Sequence, residues 1–359
     1  MKRSLNYVVT GVSSLVGRQI SIDEWAARVP VPNRKAPGTF LTGGEIRRIV
    51  GVESKSWDPE LFRDFGAIVG VARAALSAAQ TAPERLDAVL LVSATPYHVQ
   101  LDFDAFRLLR ELGVPDHVAP QQLNAGCCGM ARAMTVAAQL DLDNILIVTH
   151  EVSSLYMESP VYRRNTVHPM GESLWMSAAL FSDGAGAVVL RREPRASSFV
   201  IYSRDSQSFG DEPGFEDPLI HYPGGGAAHP PGESNSEALS AYGMSGEATK
   251  RYYQKGMALN HRALLHERPD YAREVKRIYM HQASPRLVDS VQEYLVGECA
   301  VPAEKLVSHA RRYGNLVTPS TVKLLHDDIT SGHVGAGDEV CVSVVGAGPE
   351  RGAYLISMA

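Results

Sequence analysis

The sequence predicts an α/β protein built from two halves of one design, with helices alternating with short apolar strands over largely buried mixed sheets. The first observation is a shared layout. An apolar helix pattern from about Leu61 to Ala79, then Pro83, leads into the strand run Ala88 to Val92 and the turn Ser93-Ala94-Thr95-Pro96. Further on, a helical stretch Tyr252 to Leu265 leads into a strand Val275 to Met280 and the turn His281-Gln282-Ala283-Ser284-Pro285. His281 follows Ser93 by 188 positions, and Asn315 follows Cys127 by the same 188, as corresponding turns of a duplicated unit would. The second observation is how each half closes, with a strand pair around glycines. Met176 to Phe181 and Ala187 to Leu190 flank Ser182-Asp183-Gly184-Ala185-Gly186, and Val340 to Val345 and Ala353 to Ile356 flank the turn Gly346 to Gly352. The expected halves are residues 1–193 and 194–359.

Element by element, Tyr7 to Val12 reads as an opening strand. The segment Leu5 to Val16 faintly resembles a signal peptide, but Asn6, Thr10, Ser13 and Ser14 interrupt it and no small-residue cleavage site follows. No run is long and apolar enough for a membrane helix. With 359 residues, 45% hydrophobic and 21% charged, the chain has the composition of a soluble globular protein, and its net charge of −5 argues against nucleic acid or an anionic membrane as partner. Four cysteines, at 127, 128, 299 and 341, form no C-x-x-C pair and no metal-ligand spacing with histidine, so neither a zinc site nor a disulfide framework is expected. A reduced, cytoplasmic setting is the matching expectation. One long irregular stretch, Asp205 to Asn235, is rich in Gly, Pro and His; loops of that length in compact domains are usually functional or mobile.

Chemistry concentrates at three junctions. Asn124-Ala125-Gly126-Cys127-Cys128-Gly129-Met130 sets a cysteine pair between glycines at the entrance of a helix whose apolar stripe is Met130, Ala133, Met134, Ala137 and Ala138. A thiol there meets unpaired backbone N–H groups and the positive end of the dipole, so its pKa is expected to fall toward a reactive value. His281 ends an apolar strand, with Ser284-Pro285 behind it as an N-cap followed by proline in the first turn. Asn315 lies in Tyr313-Gly314-Asn315, ahead of a helix begun by Thr318-Pro319. Taken singly, the cysteine is equally a small buried residue, the histidine a structural one, and the asparagine a turn residue. The shared offset argues for one site: a thiolate nucleophile with an imidazole suits acyl transfer, and an amide donor can steady an enolate or oxyanion.

Together these motifs resemble the thiolase-fold condensing enzymes, most closely β-ketoacyl acyl-carrier-protein synthase III, over essentially the whole chain. Ala125-Gly126-Cys127-Cys128-Gly129-Met130 is similar to that family's nucleophile turn, His281-Gln282-Ala283-Ser284 to its H-Q-A-N, and Tyr313-Gly314-Asn315 to its H/Y-G-N. Ser182-Asp183-Gly184-Ala185-Gly186-Ala187 is similar to its G-D-G-A-G-A, and Gly346-Ala347-Gly348 to its glycine triplet. The resemblance implies a thiolase-like αβαβα fold and a homodimer with no cofactor. It implies that Cys127, not Cys128, is acylated, and that His281 and Asn315 promote decarboxylation of a malonyl partner. The backbone N–H groups of Cys127 and Ala347 form the implied oxyanion hole. Arg251 and Arg286 match positions that meet an acidic acyl-carrier protein, although a third such position holds Glu293.

Where that family places a tryptophan and two arginines around the coenzyme A adenine, this chain has Glu45, Ile49 and Trp175. The departures, with the long 205–235 loop, point to a specialised relative in polyketide or other secondary metabolism that takes a substrate from a carrier protein. The expected reaction joins an acyl group on Cys127 to a malonyl or β-ketoacyl thioester. The alternatives are acyl transfer to an oxygen or nitrogen nucleophile and a non-catalytic partner subunit.

Overall fold

A computed structural model describes residues 2–33, 35–163, 174–204, 219–222, 224, 226–230 and 241–359. Most of the 205–235 loop therefore lies outside the described residues. The strands are β1 (Lys2–Ser4), β2 (Tyr7–Val16), β3 (Gln19–Ser21), β4 (Ser54–Ser56), β5 (Ala88–Ser93), β6 (Gln121–Asn124), β7 (Asn144–Glu151) and β8 (Gly184–Arg192). They continue as β9 (Phe199–Ser203), β10 (Ile220–His221), β11 (Gly243–Met244), β12 (Arg277–Met280), β13 (Leu306–Val307), β14 (Glu339–Gly346) and β15 (Glu350–Met358).

Eleven of these strands are linked by hydrogen bonds, and the two halves repeat one pairing scheme. In the first half β2 and β8 pair antiparallel, as do β8 and β7, while β7–β5 and β5–β6 are parallel. In the second half β9–β15 and β15–β14 are antiparallel, and β14–β12 and β12–β13 are parallel. A short parallel contact, Ser357 to Val8 and Met358 to Val9, joins the halves. Strands β5 and β7 are buried on both faces because helices cover both, and Ala88 to Val92 and Ile145 to Val148 are accordingly continuous apolar runs.

Five layers result. Helix Gly66–Ala78 covers the outer face of β2, β7 and β8, and helix Gly246–Glu267 covers β9, β14 and β15. Between the sheets lie two helices that have crossed over. Gly129–Leu140 from the first half packs on β9, β14 and β15, and Pro319–Thr330 from the second packs on β2 and β8. Small residues on the inner helices permit that approach, and a Cβ on Gly186 of β8 would meet Val322 at 2.7 Å. The crossing ties the Cys127 and Asn315 segments to both halves, since each inner helix begins at a candidate site segment.

Several expectations need correction. Met176 to Leu180 is not a strand but part of helix Leu174–Leu180, Phe181 makes only an isolated bridge to Asn315, and the first closing pair is β7 with β8. Leu174 to Phe181 contains no β-branched residue, and its Leu, Met and Ala favour helix. Gly184 and Gly186, expected in a turn, are inside β8. The predicted helix Leu61 to Ala79 breaks into Pro59–Arg63 and Gly66–Ala78, where the Asp64 carboxylate accepts the Gly66 N–H. The helix expected from Tyr252 to Leu265 is longer at both ends, Gly246–Glu267. No described helix is long and apolar enough to cross a membrane.

Candidate active site

The turn that carries Cys127 is assembled from both halves. After β6, the Ala125 N–H donates to the Ser93 carbonyl at 3.0 Å and the Gly129 N–H to the Gly126 carbonyl at 2.7 Å. Thr318, from the second half, donates its hydroxyl to the same Gly126 carbonyl at 2.6 Å. Arg132, one turn into the helix, donates to the Asn124 carbonyl at 2.9 Å and grips buried Glu350 of β15 with two nitrogens, at 2.7 and 3.0 Å. The hairpin before Glu350 presses in so closely that a Cβ on Gly346 would lie 2.8 Å from Cβ of Cys128. Cys128 is fully enclosed in the central core, whereas Cys127 lines open space.

The expected acidity of Cys127 is reversed. Burial pushes its thiol up to about 12, and the carboxylates of Glu151 and Glu350 add to the rise. Hydrogen bonds from its own backbone N–H and from the Asn315 side chain favour the thiolate without restoring it. A helix terminus contributes about 0.3–1 kcal/mol, under one pKa unit, whereas full burial moves a group by up to about 3–5 units. The Cys128 thiol is also pushed well up, first by burial.

His281 leaves the end of β12 with its N–H on the Ser343 carbonyl of β14 at 3.0 Å and its own carbonyl accepting from the Tyr253 hydroxyl at 2.6 Å. Ser284 accepts from the Leu287 N–H and Pro285 opens helix Pro285–Glu298, as expected. Gln282 pins this loop to its neighbour, its Oε1 accepting from the Ser308 hydroxyl and the His309 and Ala310 N–H groups. Burial, aided by nearby His309, depresses the His281 imidazole to about 3. The ring is thus neutral near pH 7, and its Nδ1 has no partner among the described residues.

Asn315 is held between Leu180 and Ser182 by backbone hydrogen bonds of 2.9 Å each. Its Oδ1 accepts from the Val317 N–H at 2.8 Å, which leaves the amide nitrogen to donate toward Cys127. Val317 pays a conformational cost here: at φ 56° it is a β-branched residue in left-handed space, a cost of about 1–3 kcal/mol sustained by its surroundings.

Two cavities meet at Cys127. The outer one, about 390 Å³, is lined by Cys127, His281, Asn315, Arg286, Lys250 and Ile49 among others. The inner one, about 190 Å³, runs past Cys127 to Glu151, Tyr242 and Met157. Ala347, in the β14–β15 turn, lines both, and its carbonyl accepts from the Leu219 N–H. Arg286 borders the outer cavity with its guanidinium donating to the Arg48 carbonyl, but Arg251 is exposed and does not line it. Lys250 and Gln254 of the same helix do line it, and neither was singled out from sequence. Glu45 is occupied in a capping box, taking the Thr42 N–H and hydroxyl. Among the described residues no cluster of His, Cys, Asp and Glu is placed to hold a metal ion.

Residues 268–358 match the family model described as 3-oxoacyl acyl-carrier-protein (ACP) synthase III C terminal. Over 96% of the chain, and 91% of the relative, the sequence is 29% identical to β-ketoacyl acyl-carrier-protein synthase III of Acaryochloris marina. It is a condensing enzyme of the thiolase fold, similar to β-ketoacyl synthase III. This acyltransferase is also 26% identical to the acetoacetyl CoA synthase NphT7 of a Streptomyces species, over 87% of this chain and 89% of that one. In fold the condensing enzyme is similar to the synthase III of Pseudomonas aeruginosa, with a TM-score of 0.74, 22% identity and 98% of each chain covered. The OleA protein of Xanthomonas campestris gives 0.77 at 17% identity, again over 98% of each.

Glu151 went unnoticed in the sequence. The signal was present: a carboxyl residue closing Ile145-Leu146-Ile147-Val148-Thr149-His150, a run that is apolar up to Val148 and buried throughout, at the sheet edge where ligands bind.

Proposed function

We propose that Cys127 accepts an acyl group from a thioester and that the enzyme then joins it to a malonyl or β-ketoacyl partner with formation of a carbon–carbon bond. The observation that carries this reading is the position of Cys127 at the meeting point of two cavities, with His281 and Asn315 lining the outer one. In the first step neutral His281 takes the thiol proton while sulfur attacks the thioester carbonyl. The donor's carbon–sulfur bond breaks and the departing thiolate receives that proton. The carbonyl oxygen is held by the Cys127 and Ala347 N–H groups. Burial of the thiol favours this proton transfer within the attack over a standing thiolate.

In the second step the malonyl carboxylate leaves as carbon dioxide, and the electron pair moves to an enolate whose oxygen accepts from Asn315 and from His281 in the tautomer that carries its N–H toward the site. The enolate carbon attacks the acyl thioester, the Cys127 carbon–sulfur bond breaks, and the thiolate takes a proton from solvent. Transfer to an oxygen or nitrogen nucleophile needs no Asn315 donor, which favours condensation.

Two further parts belong to this proposal. Arg286 and Lys250 at the outer cavity, with Arg251 on the adjoining surface, suit the acidic face of a carrier protein, while Glu45, Ile49 and Trp175 offer no adenine platform of the usual kind. That combination supports a role in secondary metabolism. The enzyme works as a homodimer: β6 ends the sheet, and Val99, Leu101, Phe103 and Phe106 expose apolar surface beside it. Incubation with acyl and malonyl thioesters, followed by intact mass and carbon dioxide release, tests the reaction. Acylation with carbon dioxide release, or with a condensed product of the expected mass, supports condensation; acylation with neither overturns it.

A further inference from the structure

The inner cavity contains a polar group that neither half-reaction uses. Glu151, the last residue of β7, lines it beside Cys127. Its Oε1 accepts from the Thr95 hydroxyl at 2.8 Å and from the Ser153 hydroxyl at 2.9 Å, so the carboxyl is fixed in orientation. Its Oε2 is buried and has no partner among the described residues. Neighbouring polar groups are committed elsewhere. The Tyr242 hydroxyl donates to the Ala94 carbonyl and the Tyr156 hydroxyl to the Pro96 carbonyl, while Arg132 is bound to Glu350 and Asn124. Met157, Phe181, Ile220 and Val317 make the rest of the wall apolar. At about 30 Å³ per water-sized group, the cavity holds roughly six such groups, a short acyl chain.

We propose that Glu151 selects the acyl group, pairing its free Oε2 with a hydroxyl or carbonyl oxygen on the chain, so that the substrate is a short oxygenated acyl thioester and not a plain alkyl one. This rests on the reading of Cys127 as the acyl acceptor and specifies what that acceptor takes. Burial raises the Glu151 carboxyl to about 8, so near pH 7 it carries a proton that it can donate to such an oxygen. A plain alkyl chain fills the same space but leaves the buried carboxyl unpaired, which disfavours it by roughly tenfold or more.

The test loads the full-length protein with pantetheine thioesters in pairs that exchange a hydroxyl for a methyl at carbon 2, 3 or 4, such as 3-hydroxybutyryl against 3-methylbutyryl. Adduct formation on Cys127 is followed by intact mass and peptide mapping. One hydroxylated member is expected to load at least about tenfold faster than its methyl partner. Glu151→Gln, which keeps an N–H donor, should retain that preference, and Glu151→Leu should bring the pair within about twofold while still accepting the alkyl member. If the unmodified protein loads every methyl member as fast as its hydroxyl partner, or Glu151→Leu keeps the preference, the assignment is overturned while Cys127 stands as acceptor. If no thioester loads on Cys127, the reaction reading falls with it.

Discussion

The two halves of the enzyme share one strand-pairing scheme and carry different chemistry at matching positions. Strand β12 leads into His281, which opens onto the outer cavity, whereas the matching β5 ends in Ser93, whose hydroxyl is tied to buried His150 at 3.3 Å. The segment after β6 presents Cys127, while the matching segment of the second half presents Asn315. One backbone plan thus carries the proposed nucleophile on one side and the proposed hydrogen-bond donors on the other. The inner helices, each packed on the opposite sheet, hold the two sets against each other. Neither half encloses the site alone, because Thr318 and Glu350 of the second half fix the cysteine turn of the first.

The largest effect that can break this comparison lies within the first half. Cys127→Ala should abolish acyl loading, and Cys128→Ala should leave it within a few-fold, as read by peptide mapping after exposure to a thioester. Cys128 faces the core, so its loss costs packing and not chemistry. Loading that follows Cys128 would place the nucleophile one residue away.

A clamp between the halves comes next. Glu350→Ala leaves the Arg132 guanidinium without its carboxylate and removes the partner of the Tyr202 hydroxyl. Breaking a buried pair of this kind costs about 3–5 kcal/mol, and the partial exposure of Arg132 puts the expected loss at the lower end. Chemical denaturation should show it, together with slower loading of Cys127. An unchanged midpoint would mean that the nucleophile turn is set by the first half alone.

A third prediction concerns pH. The folded pKa of Glu151, about 8, lies above its ordinary value near 4.3, so the folded state binds the extra proton between those limits. Its contribution to stability is fully present below about pH 4 and is lost as pH rises through 8. Glu151→Gln should therefore match the unmodified protein near pH 4 and exceed it by on the order of 1–3 kcal/mol at pH 8.5 in urea melts. A constant difference across that range would contradict the raised pKa.

The smallest effect is expected at the surface of the second half. Arg286→Glu should slow transfer from a carrier protein more than transfer from a pantetheine thioester, and salt should erase the difference, since exposed charge contacts are each worth about 0.2–1 kcal/mol. Equal losses with both donors would remove Arg286 from carrier recognition.

The sequence was most readable where a local rule acts alone. Ser284-Pro285 announced a helix start, β5 and β12 announced themselves as apolar runs, and the spacing of Cys127, His281 and Asn315 placed each at an element junction. What stayed hidden depends on burial by distant segments. The thiol's pKa rises because both halves close over Cys127, which a helix-entrance argument cannot see. Glu151 became a cavity residue only when Thr95, Ser153 and Tyr242 were brought around it. Met176 to Phe181 reads as a strand because glycines after a short apolar run look like a hairpin turn, whereas Gly186 serves the close packing of β8 on an inner helix and Gly184 lies against Leu316 just before it.

The division of labour between the halves is tested most directly by Asn315→Ala, with acyl loading of Cys127 and carbon dioxide release from a malonyl thioester measured on the same preparation. Loading is expected to persist within about tenfold while release falls by roughly a hundredfold or more, because the enolate would lose one of its two proposed donors. Release at the unmodified rate, or loss of loading and release in equal proportion, would contradict it.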